Sequence, residues 1–152
     1  MKNFVGVMML FLVITLNPAG GAAHPVDGDV YVGFTTGSSV IETYDGIIGF
    51  PRMPLGFIYT PSPVGGVAMG PDGNLYVGFT ETHEVQVYDA NGIFIRNFFV
   101  GGPVSGMVFG SNGLLHVAYS NFPVIELYDG TSGKFCRALQ HLSSPPSWGA
   151  GS

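Results

Sequence analysis

Residues 71–79 read PDGNLYVGF, a Gly-bearing turn followed by an apolar strand, and the chain repeats this unit twice more. Residues 27–34 read DGDVYVGF, and residues 111–119 read SNGLLHVAY. Asp-Gly and Asn-Gly favour tight turns, and short apolar segments bounded by such turns favour strands. The chain is therefore built on a repeated turn-and-strand unit.

Each copy of the unit continues into further strands in the same order. A second strand ends in Tyr-Asp at Tyr44, Tyr88 and Tyr128, which lie 44 and 40 residues apart. A Gly-bearing turn and another strand follow, and one more short strand precedes the second and third copies. These additional strands are predicted at residues 55–59, 93–99, 135–139, 65–69 and 105–109.

Four short strands in about 40 residues predict one blade of a β-propeller. Helical repeats of similar length fit poorly, because no stretch after Leu16 sustains a helical period. A hydrophobic content of 46% indicates a buried core, and 24 Gly with 11 Pro suit many tight turns. The predicted fold class is all-β: a β-propeller of four-stranded blades, about three of them present, partial or completed by oligomerisation.

The N-terminal residues 1–23 are predicted to be a secretory signal peptide. Lys2 precedes an apolar run of thirteen residues at 4–16, and small residues occupy 21–23. Thirteen residues are short for a membrane span, which needs about 20. We expect cleavage after Ala23 and a secreted or periplasmic protein with no remaining membrane segment. An uncleaved membrane anchor is the alternative.

The rest of the chain divides into propeller repeats at residues 24–142 and a tail at residues 143–152. The tail includes PSWGAG at 146–151, which resembles the start of another first strand. Blade one is expected to begin at its second strand, because the signal peptide stands in the place of the first. The chain is then either a truncated piece of a longer propeller or a homodimer in which each tail completes the other copy's first blade.

Charge and cysteine content exclude two kinds of interaction. Without Lys2, four of the five basic residues remain against ten acidic ones, a net charge near −6. Nucleic acid is not expected as a partner, because phosphate binding needs a basic patch. Cys136 is the single cysteine, so an internal disulfide is excluded. We expect it to be a partly buried apolar residue, with an intermolecular disulfide as the alternative.

Residues 66–77 (GVAMGPDGNLYV) and 82–89 (THEVQVYD) resemble an NHL-type propeller repeat. The third copy is similar to repeats of exported bacterial propeller proteins. The resemblance covers nearly all of residues 27–139 and implies the fold, without implying a chemistry. Many NHL repeats carry an Asp where this chain has an aromatic residue. The departures are at Phe34, Phe79 and Tyr119.

In a propeller, the loops between strands two and three open on one face together with the linkers between blades. Here those loops are residues 35–39, 80–84 and 120–123, and one linker is residues 100–103. The loops differ from one another while the turns at the opposite end repeat, and variable loops on a rigid frame are where recognition tends to lie. The candidate ligand-binding residues are Thr80, Glu81, His83, Glu84, Ser120, Asn121 and Phe122.

Three of these residues could supply part of a metal site, which needs three or four converging ligands. They are Glu81, His83 and Glu84. We expect instead that His83 holds its loop by hydrogen bonding and that both carboxylates are solvated, so no metal and no cofactor are predicted. His116, which replaces a tyrosine of the other copies, is expected to pack in its strand with one polar contact.

Some secreted six-bladed propellers that resemble this chain are lactonases or lyases, with metal ligands or a general base on the central axis. The first strands of this chain offer mainly Gly, Val, Ala, Met and Ser there, and no catalytic motif is present. The tyrosines that end each second strand are expected to pack between blades, with a sugar-stacking platform as the alternative. The predicted function is a secreted binding or scaffold module. The alternatives are a fragment or subunit of a lactonase or lyase-type enzyme, and a truncated non-functional fragment.

Overall fold

A computed structural model describes residues 10–14, 30–34, 39–44 and 56–140. Every regular element in these ranges is a β-strand, and no helix there could cross a membrane. The twelve strands are β1 (Leu10–Ile14), β2 (Val30–Phe34), β3 (Val40–Tyr44), β4 (Gly56–Tyr59), β5 (Val64–Met69), β6 (Leu75–Phe79), β7 (Glu84–Tyr88), β8 (Phe94–Phe99), β9 (Val104–Phe109), β10 (Leu114–Tyr119), β11 (Val124–Asp129) and β12 (Phe135–Gln140).

The strands form three four-stranded sheets in which each strand pairs antiparallel with the next one along the chain. The orders are β1-β2-β3-β4, β5-β6-β7-β8 and β9-β10-β11-β12. We call these sheets blades one, two and three. The predicted four-stranded units are confirmed, and the outermost strands of blades two and three, β8 and β12, end within one residue of their sequence-based bounds.

In the uncleaved chain, blade one has a first strand, whereas the sequence assigned that place to the signal peptide and indicated a blade that begins at its second strand. Strand β1 pairs with β2 from Leu10↔Phe34 to Ile14↔Val30. The unpaired N–H and C=O groups along an open edge of β2 favour pairing with any apolar extended segment of the chain. The predicted cleavage after Ala23 would remove this strand. Residues 10–14 therefore form β1 in the uncleaved chain and would be absent from the cleaved chain.

The turns at one end of the blades repeat the same construction. Gly73, Gly92, Gly113 and Gly133 all have a positive φ between 71° and 76°, a conformation that glycine adopts without steric cost. The acidic or amide residue that begins each turn accepts backbone hydrogen bonds. Asp89 Oδ1, for example, accepts from Ile93 N at 2.8 Å, and this bond lowers the pKa of its carboxyl.

Neighbouring blades pack through their inner strands, β2 against β5 and β5 against β9. Alternate residues of β6 face opposite neighbours: Leu75, Val77 and Phe79 join a core with blade one, whereas Tyr76 joins a core with blade three. The inner strands approach closely because they are rich in glycine. A Cβ on Gly65 would lie 1.9 Å from the Val104 carbonyl oxygen, so no larger residue fits there.

Candidate functional site

The two predicted loops that the structure describes fully are each tied to the linker entering their own blade. Thr80 N donates to Pro63 O at 3.1 Å, and its hydroxyl lies 3.3 Å from the same oxygen. Ser120 N donates to Pro103 O at 3.0 Å. The third predicted loop, 35–39, lies outside the described residues except for its last position, Ser39.

The linker at residues 100–103 joins the two loops to each other. Val100 N donates to His83 O at 3.0 Å, at the end of the loop of blade two. The other end of the linker reaches the loop of blade three, where a Cβ on Gly102 would lie 2.9 Å from the Phe122 ring. The loops and the linker therefore form one connected surface, which we call the loop surface.

The predicted site residues fall into two groups by exposure. Glu81, His83, Ser120 and Asn121 are exposed. Phe122 is partly buried, and its ring packs on Tyr119 with the centroids 4.8 Å apart and the planes inclined by 39°. Thr80 and Glu84 are also only partly exposed. The polar groups that a ligand could reach are thus those at the tips of the loops.

The three candidate metal ligands are not brought together. Glu84 lies in β7, where its carboxylate accepts from Gln86 Nε2 at 2.8 Å and from Asn97 Nδ2 at 2.9 Å, so the expectation that it is simply solvated is wrong. Gln86 lies two residues further along the same strand, and Asn97 lies opposite Gln86 on β8, so all three share one face of the sheet. Within the described ranges, no group of three or more His, Cys, Asp or Glu residues is placed to hold a metal ion.

His83 holds its loop through the backbone and not through the imidazole that the sequence suggested. Its φ is +52°, in the left-handed region, and its carbonyl oxygen accepts the bond from Val100 N. The positive φ turns the chain sharply before β7. The exposed imidazole makes no hydrogen bond with the described residues, and it remains available at the surface.

A buried polar cluster lies directly beneath the linker and was not foreseen from the sequence. The hydroxyls of Tyr119 and Tyr128 both donate to Glu126 Oε2, the latter at 2.5 Å. Gly101 N donates to the two hydroxyl oxygens at 3.0 and 3.2 Å. Desolvation, reinforced by the bond to Glu126, raises the pKa of Tyr128 to about 12 and that of Tyr119 further.

Part of this cluster recurs in every blade at the same strand position. Tyr88 OH donates to Gln86 Oε1 at 2.5 Å, and Tyr44 OH donates to Glu42. A Glu or Gln two residues before each Tyr was the signal in the sequence. Tyr88 and Tyr128 are only 4% exposed, so packing between blades is confirmed for both, and neither ring can offer a face for stacking on a sugar.

A second polar contact joins blades two and three at the opposite end. Gly130 O in the turn of blade three accepts from the Arg96 guanidinium and, at 2.9 Å, from Tyr76 OH. The same hydroxyl lies 2.9 Å from Asp72 Oδ2. Burial and the bond to Asp72 raise the pKa of Tyr76 to about 12. We call this group the blade latch, because it spans two sheets.

Two single residues differ from expectation. The Nε2 atom of His116 is buried without a hydrogen-bond partner among the described residues, so the expected polar contact is not made. Cys136 is exposed and not partly buried, because β12 is the outermost strand of its sheet.

The inner strands enclose a small apolar pocket beside the central axis. Its lining carries no ionisable side chain, as the composition of the first strands predicts, and Ser105 is its only hydroxyl-bearing residue. General acid–base chemistry has no group to act with in this lining. The residues are Gly33, Val64, Gly65, Gly66, Val67, Ser105, Gly106 and Met107.

Comparison with known proteins gives matches to solved structures only. No family model matches the sequence, and no curated protein matches it. Among the solved structures, Kuenenia stuttgartiensis hydrazine synthase superposes with a TM-score of 0.63 at 22% identity, over 75% of this chain and 33% of that one.

Two WD40 structures are similar in the same way. The WD40 repeats of RRP9 give a TM-score of 0.61 at 16% identity, over 87% of this chain and 42% of that one. The Neurospora crassa Pan2 WD40 domain gives 0.58 at 16% identity, over 76% and 34%. This chain thus spans less than half the length of each match. At such identities the likeness concerns the fold, and the chain adopts a β-propeller fold with three four-stranded blades.

Proposed function

We propose that the chain is an NHL-type propeller-repeat module of an exported bacterial protein and that it binds a ligand or partner through the loop surface. The repeat resemblance supports the NHL assignment, and the apolar run at residues 4–16 supports export. The match to WD40 domains supports a propeller frame of the kind that serves as a binding or scaffold module.

The observation that carries this proposal is the contrast between the frame and the tips of the loops. Backbone bonds at Pro63, His83 and Pro103 hold the loops and linker in place. The exposed groups on this frame, Glu81 and Asn121 among them, differ between blades and point away from the core. Because the backbone of the loops is already held in place, binding costs little backbone entropy there.

The test is a binding screen with defined probes, an array of glycans and an array of short peptides. The wild-type chain is expected to select at least one probe, and a Glu81→Ala/Asn121→Ala variant is expected to weaken that binding at least tenfold. An Asn91→Ala variant is the matched control, because Asn91 is an exposed polar residue in a turn at the opposite end. Binding that both variants retain would place the ligand elsewhere.

The enzyme alternative predicts different results with the same preparation. As a binding module, the purified chain should contain less than one metal ion per chain and should hydrolyse lactones no faster than the background. One tightly bound Ca²⁺ or Zn²⁺ that is lost in a Glu81→Ala/His83→Ala variant, or lactone hydrolysis above background, would replace the binding proposal by the lactonase or lyase-type interpretation.

A further inference from the structure

Blade three has one side turned away from blade two, which we call the outward face. Strand register places its side chains: Val108 is opposite His116, His116 is opposite Leu127, and Leu127 is opposite Arg137. Residues directly opposite one another in a sheet share a face. Ile125 and Leu139, another opposed pair, lie on the same side. The residues facing blade two are instead Leu115, Val117 and Tyr119.

This outward face repeats, position for position, the side of blade two that binds blade three. The same register places Ala68, Tyr76, Val87 and Arg96 in one row across blade two, with Val85 opposite Phe98. Four of these residues belong to the core shared with blade three, and Phe98 packs against it. The corresponding residues of blade three are Val108, His116, Leu127, Arg137, Ile125 and Leu139.

The polar groups of the blade latch are repeated as well, but without their acceptor. In blade two, Tyr76 and Arg96 both donate to Gly130 O of the next blade. In blade three, His116 occupies the position of Tyr76 and Arg137 that of Arg96. His116 Nε2 is buried without a partner among the described residues, and Arg137 is exposed. A turn carbonyl of a following blade could accept from Arg137, the exposed one of the two.

The exposure of the apolar residues agrees with a missing neighbour. Val108 is 61% exposed, whereas Ala68 at the same position of blade two is 4% exposed. Ile125 and Leu139 are 41% and 43% exposed. Leu127 at the centre of the face is already buried. A partner would therefore cover the exposed residues that surround Leu127.

We propose that the outward face of blade three binds blade one of a second copy of this chain, and that two copies close a six-bladed ring. Blade one has the matching register on its side away from blade two, where Val32 is already buried like Leu127 and Glu42 is partly exposed. Val32 and Glu42 occupy the positions that Val117 and Glu126 occupy on the side of blade three that binds blade two. Two equal contacts related by a twofold axis close the ring, and six blades lie within the usual four to eight.

Buried area favours this ring over a dimer formed by two outward faces. Four strands of five residues cover roughly 300 Å² in projection at sheet spacings. The ring uses four such faces and covers about 1,200 Å², whereas two outward faces together cover about 600 Å². The ring therefore covers about twice the projected area of the alternative dimer.

The ring does not require the exchange of tails that the sequence suggested. In the uncleaved chain, to which this ring refers, β1 already pairs with the open edge of β2, the position that the tail of a second copy was expected to fill after cleavage. The contact between copies joins sheet faces and involves neither that edge nor the loop surface. A failed ligand screen would therefore not contradict the ring, and loss of the dimer would not contradict the ligand proposal.

The test is the mass of the full chain in solution by light scattering at micromolar concentration. A dimer is expected for the wild type, and Leu139→Glu is expected to halve the mass, because it places a charge on the outward face. Arg137→Glu should have the same effect and changes only an exposed side chain. Lys134→Glu is the matched control, since it reverses an exposed charge in the adjacent turn. Circular dichroism of each variant checks that the β-sheet is retained.

The single Cys136 reports which faces meet. It is exposed on β12, so one spin label can be attached per chain. The ring predicts one long distance between the labels, because the two blades three lie on opposite sides of the axis. A short distance would show outward faces packed together and would overturn the ring. A monomeric wild type, open-ended polymers, or a dimer that both face variants leave intact would overturn it equally.

Discussion

Among individual residues, Tyr119, Glu126 and Tyr128 form a polar group in which each side chain is hydrogen-bonded to the other two. One carboxylate accepts from two hydroxyls, and a backbone N–H of the linker donates to both of them. Blade two has Phe79 at the position of Tyr119, and blade one has Phe34, so neither can build the complete cluster. The linker that joins the two loops rests on blade three for this reason.

Truncation of the shared acceptor should destabilise the chain. Glu126→Ala removes the acceptor shared by two buried tyrosine hydroxyls, of which one can still donate to the other, and leaving a buried donor unsatisfied costs about 1–3 kcal/mol. Urea unfolding followed by circular dichroism would measure it. Glu126→Gln is the matched control, because Gln86 serves Tyr88 in blade two. It should retain most of the stability. Equal losses of stability in the two variants would show that the negative charge of Glu126, and not its acceptor oxygen, stabilises the fold.

The buried tyrosines should make the fold sensitive to high pH. Their pKa is raised above the ordinary value of 10.0, to about 12 for Tyr76 and Tyr128, so the folded state favours the protonated hydroxyl. This contribution to stability is complete below pH 10 and is lost as the pH rises toward 12. The free energy of unfolding should therefore fall over that interval.

Ultraviolet absorbance of tyrosinate would follow the same titration directly. The native chain should show delayed ionisation of its buried tyrosines, and the urea-unfolded chain should titrate near pH 10. Native and unfolded titration curves that coincide would contradict the burial of these hydroxyls.

Among the strands, β1 raises the sharpest question, because the same residues are typical of the apolar part of a signal peptide and of the first strand of a blade. Strand β1 is an apolar segment, LFLVI, paired along its whole length with β2. Short apolar runs satisfy both descriptions, since a strand core and a signal segment need the same residue types. In the uncleaved chain these residues form β1, and in a chain cleaved after Ala23 they are removed with the signal peptide.

Export predicts a defined N-terminus. Expressed with its own leader in a bacterial host, the exported protein should begin at His24, within a residue or two, because residues 21–23 suit signal peptidase. Mass spectrometry of the secreted or periplasmic fraction would identify it. Intact Met1 in the membrane fraction would instead support the anchor. Intact Met1 in a soluble, folded chain would show β1 retained in blade one.

In the molecule as a whole, three blades pack side by side through glycine-rich inner strands. One side of blade one and one side of blade three therefore have no neighbouring blade among the described residues. Propellers usually have four to eight blades, because closure removes exposed sheet faces. The chain spans only 33–42% of the length of hydrazine synthase and the two WD40 structures. In the six-bladed ring that we propose, a second copy supplies the other three blades.

The period, the strands and the turns could all be predicted from the sequence, because they depend on neighbours within a few residues. The turn glycines with positive φ and the Tyr-Asp strand ends are examples. The positions of the predicted loop residues also follow from the repeat. Their exposure agrees in part: Glu81 and His83 are exposed, but Glu84 is bonded within its blade.

Which polar groups meet across the chain depended on tertiary packing instead. Gly101 and Tyr128 are 27 residues apart, and Tyr76 and Gly130 are 54 apart, yet each pair is hydrogen-bonded. Such contacts depend on the angle and spacing at which one sheet packs on the next, and no local pattern encodes that. The same reason applies to His116. Its residue type is evident in the sequence. The position of its buried Nε2 and the lack of a hydrogen-bond partner among the described residues depend on how the blades pack.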